Sequence, residues 1–354
     1  MGEAQTQVFP VIRGIQASME YYVTMCDLGS VPSIFGEIAE HNEGGQRRLN
    51  KTRLPAIEDY ILNNRLGYVL PPIIASIDGT TRFLPLGDNP EHYNIGLLEI
   101  HKPFRFFIND GQHRIEAIKR AVRRHPELAI ESIACVFFLD IGLQRRQELF
   151  SDLNRHAVRA TRSLSIFYDY RDPMADVARQ TARQVPLFNG RIDMERDVLP
   201  KRSPHLFTLY ALYNATRYLV GEPSSDSVTT SVRIAVDYWT CVCTNIPEWD
   251  AVLKGELSPS ELREEFIHGH AVTLLALGKL GRSLLNRFPS EWRGRLRLLQ
   301  DIDWRRDAPL WQGRTTRDGR IIMSHRGVAL TALELARFVG VPLDPEPHAQ
   351  TVTT

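Results

Sequence analysis

The sequence predicts an α+β chain: a mixed α/β N-terminal domain followed by a mainly helical C-terminal one. Three observations lead there. Runs dense in β-branched and aromatic residues alternate with helical spacing over roughly the first 140 residues. Past residue 160 the strand signals thin and helical patterns dominate. The hydrophobic share is 43% of 354 residues, enough for buried cores, which excludes wholesale disorder and suits about two domains.

Residues 8–15 and 21–25 read as strands. Residues 54–63 carry Leu54, Ile57, Tyr60 and Ile61 at helical spacing, with Asn63 and Asn64 as the stop. Residues 69–77 read as a strand that Pro71 and Pro72 restrict to an edge or an entry point. Residues 95–100 and 104–108 read as the arms of a hairpin. A helix follows over 111–124 with Ile115, Ile118 and Val122 on one stripe, then a strand over 133–139. Residues 143–154 read as a helix with Leu143, Phe150 and Leu153 inward. Downstream, 203–220, 229–244, 259–284 and 329–339 read as helices, and Ser258 and Glu261 have capping-box spacing. Residues 221–227 are a connector, and 305–324 read as an exposed loop or short hairpin. The expected domains are 1–160 and 161–341, with 342–354 as a tail.

Net charge first argues against a nucleic-acid partner, with 43 basic side chains against 42 acidic. Its detail argues otherwise. Only six of the 43 are Lys, so 37 are Arg, the better residue for bidentate phosphate contacts; a GC-rich genome is the bland explanation. From Lys279 to Arg326 there are twelve basic and five acidic residues, a local +7. Four cysteines in a chain of this length are no disulfide framework. No secretory signal and no apolar run of membrane-spanning length is legible, so a reduced, cytoplasmic protein is expected, with no membrane partner.

One motif is sharp. Asn109, Asp110, Gly111, Gln112, His113 and Arg114 stand between a β-patterned run and an amphipathic helix. The first N–H groups of a helix lack internal acceptors and carry partial positive charge, so an anion is stabilised there. Asn109 or Asp110 is expected to cap the helix. Gly111 permits a left-handed turn or a close ligand, Arg114 can fork onto phosphate, and His113 can donate to an oxyanion or carry a proton. The bland reading is an ordinary Asx-capped helix start with solvated side chains.

Asp110-Gly111-Gln112-His113-Arg114 resembles the signature of the DGQHR-domain proteins. Phe106, Phe107, Ile108 and Asn109 before it, Ile115, Glu116, Ala117 and Ile118 after it, and residues 149–154 fit the same pattern. So do Gln46, Arg47 and Arg48, residues 57–62, and Pro71 to Ile74. Over roughly residues 8–340 the chain most resembles the DndB group, the accessory members of bacterial DNA phosphorothioation (dnd) clusters. The resemblance implies a DNA-associated regulator of the modification genes, and a ParB/sulfiredoxin-like fold for the first domain. In that wider group a Gly–polar–basic turn holds nucleotide phosphates. Gln112 stands where sulfiredoxins carry a reactive Cys, which removes thiol chemistry and leaves phosphate binding. Related motifs in phage-defence proteins are tied to nucleotide hydrolysis.

Asn154 and Arg155 end the 143–154 helix and are expected to orient a phosphate if that helix returns beside Gly111. The bland reading is a helix C-terminus where a basic group suits the dipole. Arg47, Arg48, Lys51 and Arg53 form a basic cluster, either phosphate-contacting or simply solvated. Arg293, Arg295, Arg297, Arg305, Arg306, Arg314, Arg317, Arg320 and Arg326, with Trp292, Trp304 and Trp311 interleaved, are the better DNA candidates, although the three Trp suit a core. Cys241 and Cys243 suit a core helix, and His268 and His270 lack a carboxylate or third ligand at useful spacing, so no structural metal is expected. No P-loop and no nucleophile elbow occurs.

The expected function is a DNA-binding regulator of DNA sulfur modification. Its partners would be double-stranded promoter DNA and other dnd proteins, and a homo-oligomer is compatible. The alternatives are an NTP hydrolase or DNA-nicking enzyme using Asp110, Gln112, His113 and Arg114, with a nucleoside triphosphate and magnesium as cofactors, or a non-catalytic docking module.

Overall fold

The computed structural model describes residues 6–36, 54–87, 89, 92–140, 142–155 and 160–345, with the side chains of 154 and 155 excepted. The chain is mixed α/β and forms two compact units, 1–158 and 159–354.

The first unit is built on a five-stranded closed barrel. Its strands are β1 (Thr6–Gln16), β2 (Met19–Asp27), β3 (Ile73–Pro85), β4 (Ile95–Asp110) and β5 (Ser132–Leu139), in the order β1-β2-β5-β3-β4. All pairs are antiparallel except β3 with β5. Closure removes free edges from the sheet. Alternation along β1 turns Phe9 and Val11 inward and leaves Val8, Pro10 and Ile12 outside. In the core cluster of this unit the strand residues Phe9, Phe106 and Phe137 and the helix residue Phe35 make edge-on and tilted contacts, with Phe106 and Phe137 centroids 5.1 Å apart. Each fully buried ring among them contributes about 1.5–3 kcal/mol by burial, and the partly buried Phe106 less. Outside the barrel lie helices α1 (Val31–Phe35), α2 (Leu54–Asn63), α3 (Gln112–Arg124) and α4 (Leu143–Arg155). The stripe of α3 is buried through Ile115 and Ile118.

Two expectations about the strands and the inward faces of helices fail in this unit. Residues 95–110 are one strand, not a hairpin. Pairing with β3 runs on both sides of Lys102 and Pro103 (Thr80 with His101, Asp78 with Arg105), and a register shift there sets residues 102–104 of β4 against Gly79 alone, so the proline falls in an irregularity of its own strand. Leu143 does not point inward; it is 47% exposed at the start of α4. The prolines at 71 and 72 mark the entry to β3, which starts at Ile73.

The second unit is mainly helical. It comprises α5 (Arg162–Tyr168), α6 (Pro173–Gln184), the short strands β6 (Ile192–Asp193) and β7 (Phe207–Thr208), α7 (Leu209–Val220), α8 (Val228–Thr244), α9 (Pro247–Lys254), α10 (Pro259–Glu265), α11 (Ala271–Arg287) and α12 (Trp292–Leu296), then the hairpin β8 (Thr316–Arg317) and β9 (Arg320–Ile321), and α13 (His325–Phe338). Ser258 and Glu261 form the reciprocal capping box on α10. At Gly278 of α11 an added Cβ would stand 2.1 Å from the Ala215 carbonyl oxygen, so only glycine allows α7 this close.

The expected helix over 259–284 is broken. Between α10 and α11 the Ile267 N–H donates to the Trp304 carbonyl (3.0 Å), and Phe266 bridges to Arg305, so a distant segment diverts the backbone. The expected helix over 203–220 starts only at Leu209, where Thr208 caps it after pairing in β7. The 305–324 segment is not wholly exposed. Trp304 and Trp311 stack with centroids 5.7 Å apart, and with Trp292 they are buried.

Candidate functional site

The strand-to-helix turn at 109–114 lies within the first unit. β4 ends at Asp110, opposite Ile74 of β3, with a register shift there. Gly111 then adopts φ 107° and opens α3. A Cβ at this position would sit 3.3 Å from the Ile73 Cα and 3.2 Å from Arg114 Nη2, so sterics and backbone conformation both select glycine.

The expected Asx cap is absent. Gly111 is the N-cap residue, and it makes no side-chain cap hydrogen bond. Asn109 instead donates from Nδ2 to Ser76 Oγ at 2.8 Å, a buried bond between β4 and β3. Asp110 turns its carboxylate to Arg114, Oδ2 to Nη2 at 2.8 Å. The same Nη2 donates to the Pro72 carbonyl at 2.9 Å, and Arg114 Nε is buried with no hydrogen-bond partner among the described residues. Gln112 is buried and His113 half-buried. The helix start therefore carries its dipole uncapped beside a guanidinium that the β3 entry holds in place.

Among the other cations of this unit, not singled out by the sequence, are Lys119 and Arg146. Lys119 Nζ donates to the Gly36 carbonyl at 2.8 Å. Arg146 of α4 lies 3.7 Å above the Phe107 ring and 3.3 Å from Asp140. The side chains of Asn154 and Arg155 lie outside the described residues, as do Arg47, Arg48, Lys51 and Arg53.

A divalent ion would find few ligands at the turn. Asp110, the motif's carboxylate, is paired to Arg114, and among the described residues no group of three His, Cys, Asp or Glu gathers as a metal site.

The Arg-rich stretch of the second unit divides by partner. Arg295 Nη1 donates to the Val339 and Gly340 carbonyls (3.3 and 3.1 Å) past the end of α13, and its guanidinium lies over Phe288. Arg314 donates to the Leu310 carbonyl and pairs with Glu334. Arg293 pairs with Asp237 at 3.4 Å and is otherwise exposed. Arg297, Arg317 and Arg320 are exposed, and among the described residues no ion pair engages them. Arg317 and Arg320 face each other across the β8–β9 hairpin.

Cys243 is buried in α8 and Cys241 partly so, both as free thiols. His268 is not without a carboxylate: folding brings Glu248 to its Nε2 at 3.1 Å. Desolvation nonetheless lowers the His268 pKa. Among the described residues no helix is long and apolar enough to cross a membrane.

Comparison with curated proteins and with solved structures returns no match. The DndB family, described as DNA-sulfur modification-associated, matches residues 9–342, nearly the whole chain and the turn within it. The chain therefore belongs to the DndB family and has a part in DNA sulfur modification.

Proposed function

We propose that this chain is a DNA-binding regulator of DNA sulfur modification, acting on transcription of the modification genes, with the 109–114 turn as its phosphate-holding element. The observation that carries the reading is the uncapped α3 start at left-handed Gly111, set beside an Arg114 anchored to the Pro72 carbonyl. A strand, a glycine turn and a basic helix start on a small barrel are also the parts of a ParB/sulfiredoxin-like phosphate site. Duplex contacts would fall to the exposed Arg297, Arg317 and Arg320, with Arg47, Arg48, Lys51 and Arg53 as a second set. Near-neutral total charge suits a selective binder better than a non-specific coater.

The test is a mobility-shift titration on promoter DNA of the modification genes over a salt series. The expected result is a shift whose log affinity falls linearly with log salt. Absence of a shift at low salt, with folded protein, would overturn DNA binding. Phosphate release from a nucleoside triphosphate without DNA binding, lost in His113→Ala, would instead make the turn a hydrolase site.

A further inference from the structure

The second unit holds a cavity of about 800 Å³ within the size range of small-molecule sites. It has no part in the function proposed above. Its apolar wall includes Leu206, Phe207, Val272, Leu275 and Val328, with Tyr210 and Tyr218 beside them. Five cationic side chains also line it: Arg162, Lys201, Arg217, Arg263 and Arg306.

Three of these have carboxylate partners. Arg162 pairs with Asp197 at 3.2 Å and lies 4.0 Å above the Tyr210 ring. Lys201 pairs with Glu264 at 2.6 Å, and Arg217 with Glu222 at 3.7 Å. Arg263 and Arg306 differ. Arg263 donates to the carbonyls of His205, Ser203 and Lys201. Arg306 donates to those of Arg263, Glu264 and Gly319, and its Nε is buried without a partner among the described residues. Among the described residues neither guanidinium has a carboxylate at ion-pairing distance. Carbonyls fix both groups before any ligand arrives and do not neutralise their charge; Glu264, also on the lining, feels Arg306 but pairs with Lys201. Partly desolvated cations of this kind cost stability, which an entering anion would offset.

The helix ends reinforce this. The starts of α7, α11 and α13 all contribute lining residues: Tyr210 and Ala211, His270 and Ala271, Ser324 and His325. Thr208 caps α7 and Ser324 caps α13, but at α11 the N-cap residue His270 supplies no cap, since its Nε2 meets the Arg263 carbonyl at 2.9 Å. Burial, with Arg306 and Arg263 nearby, lowers the His270 pKa to about 4, so the imidazole is neutral near pH 7 and the attraction for an anion comes from the two guanidiniums and the α11 start.

We infer that this cavity is a second binding site for a small organic phosphate of nucleotide size. The anionic end would lie toward Arg263, Arg306 and the α11 start, and the flat body along Phe207, Tyr210 and Leu275. Neither the turn at 109–114 nor DNA binding is needed for it.

Calorimetric titration of the full chain with AMP, CMP, GMP and UMP, and with adenosine and inorganic phosphate, tests the assignment. At least one monophosphate should bind with 1:1 stoichiometry in an Arg114→Ala background, where the turn adds no second site, and adenosine and inorganic phosphate at least tenfold more weakly. Arg306→Gln should weaken the monophosphate at least tenfold. Lys201→Glu changes a rim side chain that is 80% exposed, so it leaves the core intact and should weaken binding severalfold. Arg114→Ala should leave it unchanged. Binding by no monophosphate, undiminished binding in both cavity variants, or loss in Arg114→Ala alone would overturn the site. Equal affinity for adenosine would remove the anionic half of the assignment, and equal affinity for inorganic phosphate the organic half.

Discussion

Arg114 Nη2 joins Asp110 Oδ2 and the Pro72 carbonyl at 2.8 and 2.9 Å, so one nitrogen ties the end of β4, the entry of β3 and the first turn of α3 together. The two bonds are unequal in consequence. The Asp110 side chain is 48% exposed and its ion pair is screened by solvent, whereas the Arg114 side chain is 16% exposed. Arg114→Ala is expected to cost about 1–2 kcal/mol by stranding the carbonyl, and Asp110→Ala no more than about 0.5 kcal/mol. Denaturant unfolding of both variants checks the ranking. On promoter DNA, Asp110→Asn should bind at least as well as the wild chain, because the guanidinium is released to an incoming phosphate; weaker binding would count against phosphate at the turn.

Gly111 makes a harder demand. At φ 107° an L side chain is strained, and its Cβ would press on Ile73 from 3.3 Å. Gly111→Ala should destabilise the first unit by about 1–3 kcal/mol. All five tryptophans lie between residues 239 and 311, in the second unit. Tryptophan fluorescence should therefore miss the change while hydrogen exchange on β3 and α3 records it. Loss of stability seen equally by tryptophan would show that the two units unfold together.

The arginines of the C-terminal stretch should separate by function. Arg317→Ala and Arg320→Ala remove exposed charges with no ion pair among the described residues, so stability should hold within about 0.5 kcal/mol. If both contact phosphates, the log–log salt slope of DNA binding should fall by about one for each. Arg295→Ala and Arg314→Ala should do the reverse. They remove donors to main-chain carbonyls and should cost about 1–2 kcal/mol while leaving the slope unchanged. A salt slope altered by Arg295→Ala alone would reassign the DNA face.

Local patterning carries the strands and the site motif but not the decisions made at a distance. Alternation in β1 and the stripe of α3 are legible because each element's periodicity records its buried face. The continuity of β4 through Pro103 is illegible because it depends on β3, some twenty residues earlier, pairing on both sides of the residues that β4 loops out there. The break before α11 depends on the Trp304 carbonyl, and Asp172 followed by Pro173 is a helix-start signal that the helical pattern alone passes over. At the turn, the polar run between strand and helix is visible, whereas Arg114's choice of the Pro72 carbonyl requires the fold. The cavity of the second unit draws its lining from segments spread over residues 162–328, so no stretch of sequence announces it.

Acid should loosen the second unit in a defined window. His270 has an ordinary pKa of 6.5 and one of about 4 in the folded chain, because burial and the neighbouring guanidiniums disfavour its charged form. Burial also lowers His268, beside Glu248. Between those values the unfolded chain binds more protons than the folded one, so stability rises with pH. The contribution is complete above about pH 6.5 and is lost as pH falls toward 4, roughly 1–3 kcal/mol for His270. Denaturant unfolding followed by tryptophan emission, which reads the second unit, should give a lower midpoint at pH 5 than at pH 7.5. His270→Gln should flatten that dependence, and a wild-type midpoint that is unchanged or higher at pH 5 would contradict the neutral, buried imidazole.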